Sequence, residues 1–167
     1  VPPGRLGKLT KPNLPLIRNI PNLNSQILKS TTAICTNDKV SAEPLATAKE
    51  ITDRFGSTFD IPEKDFDSFT ALAGSSPAYI YLFIEALAKA SVKYGIPKEK
   101  SLDIVTQTVL ASAENLLQGS DSPHDLIDKI SSPGGTTIAG LLDLEKTGLT
   151  ASVVSSIDVT IAKAKAL

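Results

Sequence analysis

The segment from Ala78 to Ala90 constrains the fold of this chain more than any other. Its apolar residues recur at spacings of three and four, which predicts a helix because that period returns side chains to one face. That face comprises Ile80, Phe83, Ile84, Leu87 and Ser91. Tyr79, Tyr81 and Leu82 make the opening turns apolar on the other sides as well. A helix that is apolar all round is buried all round.

The helical part of the chain is too small to cover this helix by itself, because it amounts to about 105 residues. We therefore expect a second copy of the chain to cover it, with the helices of the two copies interlocked in an obligate homodimer. A higher oligomer built from such dimers is compatible with the same pattern. The alternative is an isolated bundle in which this is an ordinary core helix.

From Glu63 onward the chain reads as helical, with helix breakers where helices should end. A first helix is expected over residues 65–73, ended at Gly74–Pro77, where Ser75 or Ser76 can cap the next helix. Gly95 should stop that second helix. Further helices are expected from Pro97, from Ser122 to Ile130, from Thr136 to Thr147, and after Gly148.

The first 62 residues have a different pattern, with short β-prone runs in place of long helical periods. Strands are predicted at Leu16–Ile20, Thr31–Thr36 and Thr58–Ile61, with a helix from the N-cap Ser41 to Phe55. Gly56 is expected to supply the left-handed residue that ends this helix. The order resembles the end of an α/β domain whose beginning is missing. The predicted fold is mainly α, with residues 1–62 as an α/β remnant and residues 63–167 as an all-helical dimerisation domain.

Composition excludes several classes of function. The 17 basic and 18 acidic residues nearly cancel, and no basic cluster stands out, so nucleic acid is not an expected partner. The apolar stretch around Glu85 is shorter than the ~20 residues that span a bilayer, so no membrane span is predicted. No secretion signal is recognisable, which indicates a cytoplasmic protein. Cys35 and His124 are the sole residues of their types, so we expect no disulfide and no metal site.

The loop Ser131–Thr137 is the segment best suited to bind a ligand. Gly134 and Gly135 let a ligand approach the backbone, since neither has a Cβ atom. The N–H groups from Gly134 to Thr137 are expected to lie in the unpaired first turn of a helix, where the helix dipole favours a small anion such as a carboxylate. Ser132 and Thr137 could add hydroxyl hydrogen bonds. An ordinary turn and helix cap has the same residues, so both interpretations stay open.

No Gly-x-Gly-x-x-Gly and no Walker-type loop is present, so the chain should not hold a dinucleotide by itself. The similar segment Thr70–Tyr79 is best explained as a corner between two packed helices. Carboxylates near helix starts have ordinary structural explanations, and none is assigned as an acid or a base.

Two segments, Phe69–Tyr79 and Asp128–Leu141, resemble the signatures of the pyrroline-5-carboxylate reductase family. The resemblance extends from about Leu14 to Leu167 and includes Val92–Pro97. Arg18–Asn22 is also similar, although the family usually has methionine where this chain has Ile20. Residues 1–13 match poorly.

This resemblance implies reduction of 1-pyrroline-5-carboxylate to L-proline, the last step of proline biosynthesis, with NADPH or NADH as hydride donor. It also implies an N-terminal Rossmann domain, a helical domain that interlocks with its partner's, and a substrate pocket near the dimer interface. Because the glycine-rich fingerprint and the first βα units should precede residue 1, we expect this chain to be a fragment that is inactive by itself. A 6-phosphogluconate-dehydrogenase-like reductase is a less expected alternative. The remaining alternative is a non-catalytic helical dimerisation module derived from the enzyme.

The resemblance also assigns roles to residues. The substrate carboxylate would be held by Ser132, Gly134, Gly135 and Thr136. Thr137, the catalytic residue of this set, would bond the imine nitrogen and also contact substrate. A weaker assignment places Asn22 near the cofactor.

Overall fold

The computed structural model describes residues 14–166, and the poor match of residues 1–13 lies outside them. Backbone proximity divides the chain into two compact units. One comprises the described residues through Pro77 together with those from Ser156 on, and the other is Ala78–Ser155. Compactness is a different criterion from ancestry, so the domain boundary after residue 62 stays a prediction.

A small sheet begins the described chain, as the β-prone runs predict. Its strands lie in the order β1, β2, β3, with β1 antiparallel and β3 parallel to the central strand. The parallel pair is joined by a helix, which makes a β-α-β unit typical of α/β domains. The elements are β1 (Ile17–Ile20), β2 (Ser30–Thr36), α1 (Ala42–Asp53) and β3 (Gly56–Asp60).

The core of this first unit lies between β2 and the first helical turns that follow β3. Ala33 is fully buried and packs with Phe66, Phe69 and Ala73 in one cluster. The guanidinium of Arg18 lies 4.3 Å from the centre of the Phe66 ring, a favourable cation–π distance. Sheet and helical turns are therefore held together by aromatic burial.

Gly56 does not end helix α1, contrary to the prediction. The helix ends at Asp53, its C-cap Arg54 is right-handed, and Gly56 already belongs to β3, with φ of 155°. A Cβ atom at Gly56 would lie 2.1 Å from the carbonyl oxygen of Ser30. Glycine is required here because the backbones of β2 and β3 approach too closely for any side chain.

The predicted break at Gly74–Pro77 is also wrong, because the chain stays helical through it. The elements are α2 (Phe66–Phe69), a π-helical turn (Thr70–Ser75) and α3 (Ser76–Val92). The hydroxyl of Ser76 does not cap a new helix but donates a hydrogen bond back to the carbonyl of Leu72. A proline normally breaks a helix through its missing N–H and its clash with the carbonyl four residues earlier. The wider π turn accommodates Pro77 without a break.

The remaining helices begin and end as predicted. Gly95 and Gly148 follow helices with φ of 94° and 82°, conformations that favour glycine. Ser122 and Asp125 form a reciprocal capping box at the start of a helix. These helices are α4 (Lys98–Gln118), α5 (Pro123–Ile130), α6 (Thr136–Lys146) and α7 (Leu149–Lys165).

The unit Ala78–Ser155, all of which the structure describes, has no apolar core of its own. Its fully buried residues are the small Ala88 and Ser101, whereas Leu82 and Leu117 are 69% and 85% exposed. Among the described residues, one continuous helical stretch, Glu63–Val92, is long and apolar enough by composition to span a bilayer. A soluble helix that a second chain covers has the same composition.

Candidate functional site

The loop before α6 forms a tight turn with an open side. The N–H of Gly135 donates a hydrogen bond to the carbonyl of Ser132 at 3.0 Å, which closes the turn. Gly134 has φ of 69°, and a Cβ atom placed on it would meet nothing within 4 Å. The backbone at Gly134 is therefore accessible to a ligand from this side.

This hydrogen bond corrects one expectation, because the N–H of Gly135 is not unpaired. Gly135 is the N-cap of α6 and has extended backbone angles, with no side-chain cap. Thr136 and Thr137 are the first two helical residues, and both are exposed. Their N–H groups have no acceptor within the helix, so an anion here would find free donors and the positive end of the dipole.

The Ser132 hydroxyl lies beside the start of α6, in space that Gly135 leaves open because it has no side chain. A Cβ atom on Gly135 would lie only 2.3 Å from Oγ of Ser132. Residue 135 must therefore lack a side chain if the Ser132 hydroxyl is to occupy this position. The structure thus brings Ser132, Gly134, Gly135, Thr136 and Thr137 together at one end of α6. It places Asn22 in the other compact unit.

The loop contains one polar atom that the predictions did not single out. Oγ of Ser131 is buried and has no hydrogen-bond partner among the described residues. Burying a hydroxyl without a partner costs about 1–3 kcal/mol. Sequence patterns could not reveal this feature, since it depends on which atoms surround the side chain.

No residue of the loop Ser131–Thr137 is ionisable. The ionisable residues nearest before it in the sequence lie in α5 and just before that helix. The hydroxyl and the backbone N–H of Ser122 hold the pKa of Asp125 below its ordinary value. Lys129 pairs with Asp121 at 2.6 Å. These contacts stabilise the start of α5 and the segment before it. No cluster of three metal-ligating side chains occurs within residues 14–166.

Asn22 is a buried residue in the loop after β1 and makes several hydrogen bonds within the chain. Its side-chain oxygen accepts hydrogen bonds from the backbone N–H groups of Asn24 at 3.2 Å and Thr31 at 3.3 Å. Its own backbone N–H donates to the hydroxyl of Ser30 at 3.2 Å, and Nδ2 donates to the carbonyl of Ala73 at 3.0 Å. The chain itself thus uses most of this residue's hydrogen-bonding groups. Its assignment to cofactor binding stays a prediction.

Comparison with known proteins decides the family. The model of the domain called pyrroline-5-carboxylate reductase dimerisation matches residues 63–167, well over half of the chain. The chain belongs to the pyrroline-5-carboxylate reductase family. Reductases from Aquifex aeolicus and Synechocystis are 39% and 38% identical to it over 163 and 146 residues. Those alignments cover 98% and 87% of this chain.

Solved pyrroline-5-carboxylate reductases have the same fold. The Streptococcus pyogenes enzyme is 67% identical, with a TM-score of 0.95 over 99% of this chain. The Plasmodium falciparum enzyme, solved with NADP bound, is 32% identical, with a TM-score of 0.94 over 99% of the chain. The predicted family is confirmed, and so is the predicted fold class, a helical dimerisation part preceded by part of an α/β domain.

The chain spans less than two thirds of the length of two of these relatives. It covers 62% of the Aquifex aeolicus reductase and 64% of the Streptococcus pyogenes chain. The family to which the chain belongs is a family of oxidoreductases, and one of its members was solved with NADP bound. The activity and partners of the whole protein are a separate question.

Proposed function

We propose that this chain forms the assembly and substrate-binding part of a pyrroline-5-carboxylate reductase. The reaction transfers a hydride from NADPH or NADH to the imine carbon of 1-pyrroline-5-carboxylate, and the protonated nitrogen becomes the amine of L-proline. The observation that carries the proposal is the open glycine turn at the start of α6. It combines an accessible backbone, exposed hydroxyl groups and free N–H donors in a chain of this family.

The substrate carboxylate would lie against this turn. Gly134 leaves space for it, and the N–H of Thr136 and the hydroxyl of Ser132 can donate hydrogen bonds to it. The role of Gly135 is steric, because its lack of a side chain lets the Ser132 hydroxyl stand beside the helix start.

Thr137 is the residue we propose to act on the reacting group. Its side chain is exposed in the first turn of α6, one residue beyond the carboxylate donors. A hydroxyl fixed there can orient the ring and bond to the imine nitrogen that must carry a proton when the hydride arrives. A protonated imine accepts hydride more readily than a neutral one, so this contact would act on turnover as well as on binding.

NADPH or NADH would supply the hydride, as it does in nicotinamide-dependent reductases generally. The chain has no glycine-rich phosphate loop that fits a dinucleotide. Asn22 is the one residue proposed to lie near the cofactor. Because its amide is bonded within the chain, it would act by shaping the loop after β1.

We further propose an obligate homodimer with interlocked helices, with or without further association of dimers. The support is the coreless unit Ala78–Ser155, whose large apolar side chains are exposed in a single copy. Covering that surface is a requirement for a stable fold. A soluble dimer of this kind needs no membrane, and the near-neutral charge offers nothing for nucleic acid to bind. The expected location is the cytoplasm.

The decisive assay is substrate-dependent oxidation of NADPH, measured on the protein expressed from its intact gene and on the 167-residue chain. Thr137→Ala in the protein that turns over substrate should lower kcat by about 100- to 1,000-fold, the lower part of the range for acid–base assistance. Thr137→Ser, which keeps the hydroxyl, should retain most of the activity. Unchanged kinetics in Thr137→Ala would remove this residue from the reaction.

A non-catalytic dimerisation module is the second candidate. The observation in its favour is the absence of a phosphate loop from this chain. If neither form of the protein oxidises NADPH with substrate present while both dimerise, this alternative is correct. Activity in the longer form alone would instead support a reductase whose assembly part is this chain.

A further inference from the structure

The helical stretch that contains Pro77 has a carbonyl group without its usual donor. In an α-helix the carbonyl of Ala73 would accept a hydrogen bond from the N–H of residue 77, but proline has no N–H. The adjacent carbonyl of Leu72 receives the hydroxyl of Ser76. The carbonyl of Ala73 instead receives Nδ2 of Asn22 at 3.0 Å, from a residue 51 positions earlier. A side chain from the loop after β1 thus stands where a backbone donor would be.

The donor is itself rigidly oriented. The side-chain oxygen of Asn22 is committed to two backbone N–H groups, which leaves the nitrogen to face Ala73 and excludes the flipped amide. Asn22 is only 9% exposed and Ala73 only 8%, so water is not a ready substitute. Losing this donor would leave a buried carbonyl unpaired, which is costly.

We propose that Asn22 is a positioning residue that substitutes for the N–H missing from Pro77 and so holds the π turn Thr70–Ser75 in its register. The three parts depend on one another. Pro77 prevents the ordinary α-helical hydrogen-bonding pattern, and the π turn accommodates the proline. Asn22 donates a hydrogen bond to the carbonyl of Ala73, which this arrangement leaves without a backbone donor. This inference does not rest on the proposed reaction. It assigns to Asn22 a role that stands whether or not the residue lies near a cofactor.

The register of this turn affects the helix beyond it. A π turn contains one residue more than an α turn, and each residue rotates the helix by about 100°. A change of register would therefore redirect the residues of α3 around its axis.

The test is a double-mutant cycle on the 167-residue chain, read by amide hydrogen exchange over residues 70–76. Asn22→Asp keeps an acceptor for the two backbone N–H groups but removes the donor to Ala73. We expect exchange to accelerate roughly 10- to 100-fold. Pro77→Ala restores a backbone N–H, which can bond to the carbonyl of Ala73 when the turn adopts the ordinary α pattern. In that background Asn22→Asp should change exchange less than about threefold.

Asn24→Asp is the matched control, since it adds the same charge to the same loop without touching Ala73, and it should leave exchange over 70–76 unchanged. Equal effects of Asn22→Asp with and without Pro77 would overturn the proposal, as would no effect at all. If Asn22→Asp alone does not fold, recovery of a folded chain by the added Pro77→Ala supports it. Failure of that double variant to fold contradicts it.

Discussion

Substituting aspartate for Leu82 tests the claim that a second copy completes the helical unit. Leu82 lies in α3 and is 69% exposed in a single chain, although it belongs to a turn that is apolar on all sides. A leucine that is mostly exposed contributes little to the stability of a monomer, so a monomeric bundle should tolerate the change. In an interlocked dimer the same side chain is buried by the partner.

The expected weakening of the dimer by Leu82→Asp follows from the exposed fraction of the Leu82 side chain. Burying a whole leucine side chain stabilises by about 1.5–3 kcal/mol, so covering the 69% still exposed is worth about 1–2 kcal/mol per copy. A symmetric dimer loses this twice, or about 2–4 kcal/mol, and desolvation of the carboxylate adds to the loss. Since about 1.4 kcal/mol is a factor of ten, the dimer dissociation constant should rise roughly 30- to 700-fold or more.

Sedimentation equilibrium gives this constant, and circular dichroism on the same samples reports whether dissociated chains stay folded. We expect dissociation and loss of helix to occur together, because the unit Ala78–Ser155 has no core of its own. Leu28→Asp is the matched control, since Leu28 is 65% exposed and lies outside the residues matched by the dimerisation model. A Leu82→Asp chain that dimerises like the wild type, or that forms a stable helical monomer, would refute the reasoning.

Two further outcomes are expected from the part of the chain that contains the sheet. Gly56→Ala should lower the free energy of unfolding by at least about 3 kcal/mol in urea titrations, because the new Cβ would overlap the Ser30 carbonyl at a strained φ. Gly140→Ala is the control and should not destabilise, because a Cβ atom there meets nothing within 4 Å. Equal effects of the two substitutions would contradict the close-approach explanation. Burial, together with the carboxylate of Glu63, raises the pKa of the Cys35 thiol to about 12. Alkylation of Cys35 by iodoacetamide at pH 8 should therefore be roughly a hundredfold or more slower than alkylation of an unstructured cysteine. The rate should increase in Glu63→Gln. A rate like that of a free thiol would show that the Cys35 thiol does not make its contact with the Glu63 carboxylate.

The sequence by itself determined the features that depend on neighbouring residues. Gly95 and Gly148 end helices because a positive φ is a local requirement, and Ser122 starts one because its capping partner is three residues away. The glycine turn before Thr136 was predictable for the same reason, since its parts are consecutive. One of the two family signatures, Asp128–Leu141, contains this turn.

Only the tertiary structure decided the features that depend on distant contacts. Gly74–Pro77 resembles a helix break, yet the chain stays helical through a π turn, and Asn22 pairs with the carbonyl of Ala73 from 51 positions earlier in the sequence. Gly56 resembles a helix stop, yet it serves the approach of β3 to Ser30. Local patterns report which conformations a segment can adopt, whereas the choice among them is made by hydrogen bonds and packing from elsewhere in the chain.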